Sequence, residues 1–173
     1  MEIKKLFGIE NKVAIVTGGS RGIGEMITSG FLANGVKVYI SARKAPALIE
    51  KAKELSDRYQ QECIPVPCDL STLDGIEEFV GSISEKEEGI DFLINNAGAA
   101  WGEPFETFSE QGWDKVMNLN VKSMFFLTQK LKSHLLKRCT LDDPSRVINI
   151  GSIDGLNVPA LETFSYSASK ASV

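Results

Sequence analysis

Two titratable side chains near the carboxyl end of the chain have the spacing of a proton-transfer pair. Tyr166 and Lys170 are four residues apart, so a helix would place both on one face. An ammonium group beside a phenol stabilises the phenolate, which makes a group that ordinarily titrates near pH ~10 usable near neutral pH. Ser152 adds a hydroxyl that can orient and polarise a carbonyl. These residue types predict acid catalysis at a developing alkoxide without a metal.

Asn120 interrupts an apolar face within a long segment of helical periodicity. The face consists of Trp113, Val116, Asn120, Met124, Leu127, Leu131 and Leu135. Once buried, the Asn120 amide needs hydrogen-bonding partners, which a core asparagine finds in backbone or water, and a mid-helix kink is then expected. A catalytic role for the same side chain is compatible with this structural role.

Residues 17–24 form a glycine-rich junction between an apolar run and a helical segment. Glycine permits a tight turn and lets a diphosphate approach the backbone, while the N–H groups and positive dipole of a helix start attract the anion. An ordinary glycine-containing turn is the alternative, but the position between strand and helix favours a dinucleotide. A phosphate-loop NTPase is excluded because no Gly-Lys-Ser/Thr follows. The expected contacts are Thr17, Gly18, Ser20, Arg21, Gly22, Ile23 and Gly24.

The end of the second predicted strand indicates which dinucleotide binds. An acidic residue there would hold the ribose hydroxyls of NAD, but the sequence has Ser41-Ala42-Arg43-Lys44. Arg43 and Arg21 can instead pair with an additional phosphate, which favours NADP(H) over NAD(H). Solvated surface cations are the other explanation of these two arginines.

The elements that must position these residues alternate between short apolar runs and helical patterns, which indicates βαβ units and a parallel sheet. The predicted strands are residues 13–17, 36–41, 64–67, 91–95 and 146–151. The predicted helices are residues 23–34, 45–60, 73–86 and 109–138. Right-handed crossovers between strands that are covered on both faces predict an α/β fold, a Rossmann-type doubly wound parallel sheet with helices on both faces, in a single domain over residues 1–173.

Composition limits the other functions that the chain can have. With 43% hydrophobic residues, 24% charged residues and a net charge of −4, it can bury one core but has no basic field for nucleic acid. Residues 1–5 contain no apolar signal core and no run approaches the roughly 20 residues of a membrane span, so no membrane contact and a cytoplasmic location are expected. Cys63, Cys68, Cys139 and the single histidine, His134, form no metal-binding pattern, so incidental thiols, a surface histidine and no metal site are expected.

Over nearly its whole length the sequence resembles the short-chain dehydrogenase/reductase family. Thr17-Gly18-x-x-x-Gly22-x-Gly24 resembles the family's cofactor motif. Asp69 resembles its adenine-contacting acid, and Asn95-Asn96-Ala97-Gly98 its central-strand motif. The residues that resemble its catalytic tetrad are Asn120, Ser152, Tyr166 and Lys170. Within the family, residues 96–102 and 147–152 are similar to the 3-oxoacyl-thioester reductase branch of the rhamnolipid-associated type.

This resemblance implies an NADPH-dependent oxidoreductase that reduces a ketone, in particular a 3-oxoacyl thioester, to a secondary alcohol. Tyr166 would donate the proton and Ser152 would steady the oxygen. Lys170 would hold the nicotinamide ribose and relay protons through a water ordered by Asn120. The implied cofactor contacts beyond the glycine-rich junction are Ser41, Arg43, Asp69, Leu70, Asn96, Ala97, Gly98, Tyr166 and Lys170.

Family members continue past the position of Val173, through two further strands and a segment over the substrate, so an incomplete domain is expected. Homo-dimers or homo-tetramers are expected through the helix that spans Asn120 and the helix that begins near Tyr166. Two alternatives are a nucleotide- or partner-binding fragment without activity, and an NAD-dependent alcohol or sugar dehydrogenase. The intact tetrad favours an enzyme over a binding fragment.

Overall fold

Five parallel strands form one sheet in the order β3-β2-β1-β4-β5 in a computed structural model that describes residues 7–157 and 159–173. The N-terminal stretch 1–5 that bears on targeting lies outside the described residues. The strands are β1 (Val13–Thr17), β2 (Lys37–Ala42), β3 (Cys63–Pro67), β4 (Phe92–Asn95) and β5 (Arg146–Asn149). This order reverses at β1, which makes the carboxyl edge beside β1 and β4 the place where doubly wound sheets bind ligands.

Helices cross over between successive strands and cover both faces of the sheet. They are α1 (Gly22–Ala33), α2 (Ala45–Tyr59), α3 (Leu73–Ser84), α4 (Glu110–Met117), α5 (Ser123–Arg138) and α6 (Phe164–Ala171). The predicted α/β fold of the Rossmann type is therefore confirmed, and the predicted bounds of its strands and of the first four helical segments differ from the observed ones by at most two residues.

Alternation along β1 divides the core into two clusters, because successive side chains of a strand point to opposite faces. Val13 and Ile15 belong to the cluster that packs against α3 and α5, while Ala14 and Val16 belong to the cluster that packs against α1 and α2. All four are at most 4% exposed. The sheet from β1 to β4 is thus held between two apolar layers, and its strand ends are fixed in space.

Strand β5 departs from this pattern. All four of its residues are exposed, and Val147 and Ile148 retain 42% and 44% of their accessible surface. Coverage on both faces was expected for most strands of this sheet, and β5 is the exception. Apolar composition identified the strand, but coverage depends on what packs against it. Among the described residues β5 pairs only with β4.

The predicted helix 109–138 is interrupted by a π-helical turn at Asn118–Lys122, between α4 and α5. A π turn places more residues in one turn than an α-helix does, so it rotates the side chains that follow. Ser123 rather than Met124 is buried, and Trp113 is 41% exposed, which corrects the predicted apolar face at both positions. The expected irregularity near Asn120 is this π turn.

A network of charged groups lies at the amino edge of the sheet, opposite the glycine-rich junction. Tyr39, which is fully buried, donates a hydrogen bond of 2.8 Å to Glu87 Oε1, and Lys37 Nζ lies 3.0 Å from the same oxygen. The Asp91 carboxylate belongs to the same network and accepts hydrogen bonds from the Val13 amide and from Arg138. Burial first, and then the Glu87 carboxylate, raise the pKa of Tyr39. Sequence reasoning did not identify this network.

The residues with metal-binding or membrane potential can be placed as well. Burial raises the pKa of the Cys63 and Cys68 thiols to about 12, while Cys139 is exposed. His134 is half-buried, not fully on the surface, and its Nε2 lies 3.1 Å from Ser84 Oγ. Among residues 7–157 and 159–173 no cluster of metal-ligand side chains occurs, and no helix there is long and apolar enough to cross a bilayer.

Candidate active site

The glycine-rich junction places bare backbone at the carboxyl end of β1. Gly18 has a φ of +64°, in the left-handed region that favours glycine, and its backbone packs close to Ala97. A methyl group at Gly24 would lie 2.2 Å from Gly18 O. These two glycines therefore allow α1 to start directly against the turn, as close packing of helix and strand requires.

Gly22 serves a different purpose, because the space beside it is open. It has a φ of +55° and no atom lies within 4 Å of the position that a Cβ would take. Helix α1 begins here, and Arg21 at its N-cap makes no side-chain capping hydrogen bond. Arg21, Gly22 and Ile23 are exposed and Ser20 is half-buried. An anion can therefore approach uncapped N–H groups, which is the geometry that dinucleotide diphosphates use.

Thr17 lies behind this surface, not on it. It is 2% exposed, and its hydroxyl accepts hydrogen bonds of 2.9 Å from the amides of Asn96 and Ala97. The Asn96 side chain returns a 2.9 Å bond to Thr17 O. Thr17 thus connects the turn after β1 to the turn after β4, and Gly98, which follows, is exposed. The two turns that border the predicted cofactor site are held together by these bonds.

Polar groups follow β2 and β3 at the same edge. Arg43 is exposed, whereas Ser41 is 2% exposed and its backbone carbonyl accepts from the Gly18 amide at 3.0 Å. Burial opposes ionisation of Asp69, but hydrogen bonds from Ser71 and the charge of Arg43 outweigh it and lower the pKa of Asp69. Leu70 beside it is buried. The edge therefore carries a fixed carboxylate next to a free guanidinium.

Helix α6 carries Tyr166 and Lys170, and Lys170 reaches the end of β5. Lys170 Nζ donates a 2.5 Å hydrogen bond to Ile150 O, just after β5, and lies 5.8 Å from the centre of the Tyr166 ring. Both side chains are half-buried. Burial lowers the pKa of Lys170. The expected one-face pair is thus present, with an ammonium group beside the phenol and partly shielded from water.

Asn120, on the π turn, is 4% exposed and fully hydrogen-bonded. Its Oδ1 accepts from the Ala99 amide at 2.8 Å, and its Nδ2 donates to Ala99 O at 3.0 Å and to Ser169 Oγ at 2.9 Å. The structural role expected for a buried asparagine is therefore observed. It joins the loop after β4 to α6.

Ser152 precedes a short 3-10 turn, Ile153–Gly155, and caps it. The amide of Asp154 donates a hydrogen bond of 3.2 Å to Ser152 Oγ. This turn packs on α6, since a Cβ at Gly155 would lie 2.5 Å from Lys170 O. No hydrogen bond joins Ser152 to Tyr166 among the described residues. The fold places the two on adjoining segments, and the Ser152 hydroxyl oxygen is held by the turn.

Sequence reasoning missed two features of this region. Ser169 was not identified, although its spacing of four from Ser165 indicates a shared buried face. The second is the packing of Trp101 against α4. A methyl group at Gly112 would lie 2.3 Å from the indole, and Lys115 Nζ lies 4.1 Å from the centre of the indole ring. Trp101 therefore packs against the bare backbone of α4 at Gly112, with a cation beside its ring.

A doubly wound parallel sheet whose carboxyl edge carries an open, uncapped helix start is the arrangement of a nucleotide-binding fold, and here a helix with Tyr166 and Lys170 lies at the same edge. The sequence comparison agrees with this class. The family model described as short chain dehydrogenase matches residues 12–173, and the chain belongs to that family.

Two members of this family can be named as relatives of the chain. The chain is 40% identical over 167 residues to the rhamnolipids biosynthesis 3-oxoacyl-[acyl-carrier-protein] reductase of Pseudomonas aeruginosa, covering 96% of this chain and 64% of that protein. It is 34% identical over 176 residues to the 2-dehydro-3-deoxy-D-gluconate 5-dehydrogenase of Escherichia coli, covering 99% and 65%. The chain thus spans slightly less than two thirds of the length of these relatives.

Solved structures of other proteins are also similar to this chain. The Pseudomonas aeruginosa RhlG/NADP active-site complex is similar with a TM-score of 0.92 and 40% identity, over 99% of this chain and 66% of that one. The L-sorbose reductase of Gluconobacter frateurii, complexed with NADPH and L-sorbose, is similar with a TM-score of 0.87 and 28% identity, over 95% and 60%.

Proposed function

We propose that this chain is the nucleotide-binding domain, bearing the catalytic residues, of an NADP(H)-dependent reductase that converts a ketone to a secondary alcohol. The observation that carries the proposal is the meeting of two features at one sheet edge. The first is the open helix start at Gly22, and the second is the Tyr166–Lys170 pair on α6. The helix start suits the binding of an anion, and the tyrosine–lysine pair suits the transfer of a proton to an oxygen.

The residues at the edge suit NADP(H). The backbone from Gly18 to Gly24, with Ser20 and Ile23, would receive the diphosphate. Arg21 and Arg43 are exposed and free to pair with the additional phosphate of NADP(H), since neither forms an ion pair within the described residues. The residues that would border the adenine and nicotinamide halves are Ser41, Asp69, Leu70, Asn96, Ala97 and Gly98.

When bound, a reduced nicotinamide supplies the hydride for carbonyl reduction. The chain then has to hold the carbonyl and give its oxygen a proton. Tyr166 is the acid, because it is the phenol beside an ammonium group at this edge. Lys170 stabilises the phenolate that remains, and its lowered pKa eases return of a proton to Tyr166. Ser152 steadies the substrate oxygen, and Asn120 holds the π turn against α6.

A 3-oxoacyl thioester is the substrate that we propose. The support is the 40% identity to a relative named as a 3-oxoacyl-[acyl-carrier-protein] reductase, above the 34% identity to a sugar-acid dehydrogenase and the 28% identity to a sorbose reductase. Assembly into a homo-dimer or homo-tetramer is a proposal that rests on family membership alone.

Turnover by the chain itself tests this function. Loss of NADPH absorbance is measured with a 3-oxoacyl thioester, with L-sorbose and without substrate, and NADPH binding is measured separately by fluorescence. We expect the thioester to be reduced faster than the sugar. Faster reduction of L-sorbose would replace the substrate proposal. NADPH binding without turnover of any ketone would favour the alternative, a binding fragment.

Cofactor choice gives a prediction for Arg43. We expect Arg43→Asp to lower kcat/KM for NADPH about tenfold to hundredfold relative to NADH, because a charge-assisted hydrogen bond to phosphate is lost and a like charge is introduced. Lys86→Asp, an identical change of charge at an exposed residue after α3, is the control and should leave the ratio unchanged. Equal use of both cofactors by the unchanged chain would show that Arg43 does not discriminate between them.

A further inference from the structure

Ser169 is a fully buried residue between Tyr166 and Lys170 to which the sequence analysis assigns no role. Its side chain occupies the face of α6 turned toward the π turn, where its exposure is 0%. The hydroxyl oxygen accepts a 2.9 Å hydrogen bond from Asn120 Nδ2, and the hydroxyl proton is donated to Tyr166 O at 2.7 Å. One hydroxyl therefore connects two of the residues to which the proposed function assigns roles.

The bond from Asn120 has no substitute within the described structure. Asn120 has two amide protons, of which one goes to Ala99 O and the other to Ser169 Oγ. The side chain is 4% exposed, so bulk solvent does not reach it to replace a lost partner. Removal of the Ser169 hydroxyl thus leaves a buried N–H unpaired, which is the costly way to lose a hydrogen bond.

The consequence concerns how α6 sits on the rest of the fold. Helix α6 spans Phe164–Ala171 here, and tertiary contacts set the position of such a segment more than helix propensity does. Lys170 fixes it to the end of β5 through Ile150 O, and Ser169 fixes it to the π turn. The two anchors are adjacent in sequence and point to different elements, so together they set both the rotation and the height of Tyr166.

We propose that Ser169 is a positioning residue, which acts through Asn120 and the backbone of Tyr166 to align the phenol and the ammonium group for proton transfer. The inference rests on the proposed function, since it takes Tyr166 to be the acid. It adds a residue outside the tetrad whose effect should fall on the proton-transfer step and not on cofactor binding.

Ser165 provides a matched control one helical turn earlier. It is also 0% exposed and lies on the same helix, but its hydroxyl has no hydrogen-bond partner among the described residues. Ser165→Ala and Ser169→Ala remove the same atom from the same helix at the same depth. Any difference between the two variants therefore reports the hydrogen bonds of Ser169 and not the loss of a buried oxygen.

The experiment compares Ser169→Ala, Ser169→Thr and Ser165→Ala in the full chain with NADPH and a 3-oxoacyl thioester. We expect Ser169→Ala to lower kcat about tenfold to hundredfold, in proportion to one unpaired buried donor, with KM for NADPH unchanged and the pH profile of kcat shifted. Ser169→Thr, which keeps the hydroxyl, should recover most of kcat. Ser165→Ala should match the unchanged chain.

A readout that needs no turnover is the side-chain amide of Asn120, followed by nitrogen-15 NMR. In the unchanged chain and in Ser165→Ala both amide protons should be protected from exchange, and in Ser169→Ala one should exchange faster. Equal kcat, pH profile and amide exchange in the two alanine variants would overturn the proposal. If the unchanged chain reduces no ketone, the proposed function fails separately, while the amide exchange still decides whether Ser169 anchors Asn120.

Discussion

Replacing Tyr166 by phenylalanine should lower kcat by about 10²- to 10⁴-fold, the usual contribution of a positioned general acid. The substitution removes one oxygen from a half-buried ring and leaves the ring and its contact with Lys170 in place. NADPH affinity should therefore change little, because the glycine-rich junction is untouched. The measurement is steady-state NADPH oxidation with a 3-oxoacyl thioester, together with a fluorescence titration of NADPH.

The chain offers a control for this prediction. Of its three tyrosines, Tyr59 at the end of α2 is remote from the carboxyl-edge site and partly exposed, so Tyr59→Phe should retain full activity. Undiminished turnover in Tyr166→Phe would falsify the assignment of the acid. Loss of NADPH binding together with turnover would instead show that the variant disturbs the cofactor site, and the acid would have to be sought by the pH profile of kcat.

Removal of Glu87 should produce the largest loss of stability outside the hydrophobic core. Glu87→Ala deprives the buried Tyr39 hydroxyl of its acceptor and Lys37 of its 3.0 Å partner. We expect the free energy of unfolding to fall by about 3 kcal/mol, as for other charged hydrogen bonds that are broken on one side. Glu88→Ala, the same change at the exposed neighbouring residue, should cost less than about 0.5 kcal/mol.

Urea unfolding measures both variants, and Tyr39→Phe completes a double-mutant cycle with Glu87→Ala. A coupling energy near zero between the two substitutions would contradict a stabilising Tyr39–Glu87 hydrogen bond. The pH dependence has a defined sign. The pKa of Tyr39 is higher in the folded chain than in the unfolded chain, so its contribution is complete below pH ~10 and is lost as pH rises further. Tyr39→Phe should remove part of that alkaline loss of stability.

Local patterns were sufficient to predict the sheet and the position of the glycine-rich junction. Short apolar runs, glycines at the end of the first run and helical periodicity between runs are all encoded within about a dozen residues. The same holds for Tyr166 and Lys170, because a spacing of four places two residues on one helical face wherever the helix lies.

The features that escaped prediction depend on contacts distant in sequence. Trp113 and Met124 fit the helical period and were therefore assigned to the buried face, but which of the compatible positions is covered depends on what packs against the helix. Ser165 and Ser169 are the same residue type on the same helical face, so the sequence does not distinguish them. The contact with Asn120, which is distant in sequence, makes Ser169 a hydrogen-bond partner. Glu87 was not distinguished from neighbouring surface acids, because its partner Tyr39 lies 48 residues away in the sequence.

The division of the core has a consequence for how the protein is made. Within the described part of the chain, every buried member of the two apolar clusters lies between Val13 and Leu135, and none belongs to β5 or α6. Since chains emerge from the ribosome amino end first and compact units fold as they appear, the layers around β1 to β4 can close during synthesis. The glycine-rich junction can then be in place before Tyr166 has been translated, and α6 docks onto a surface that is already formed.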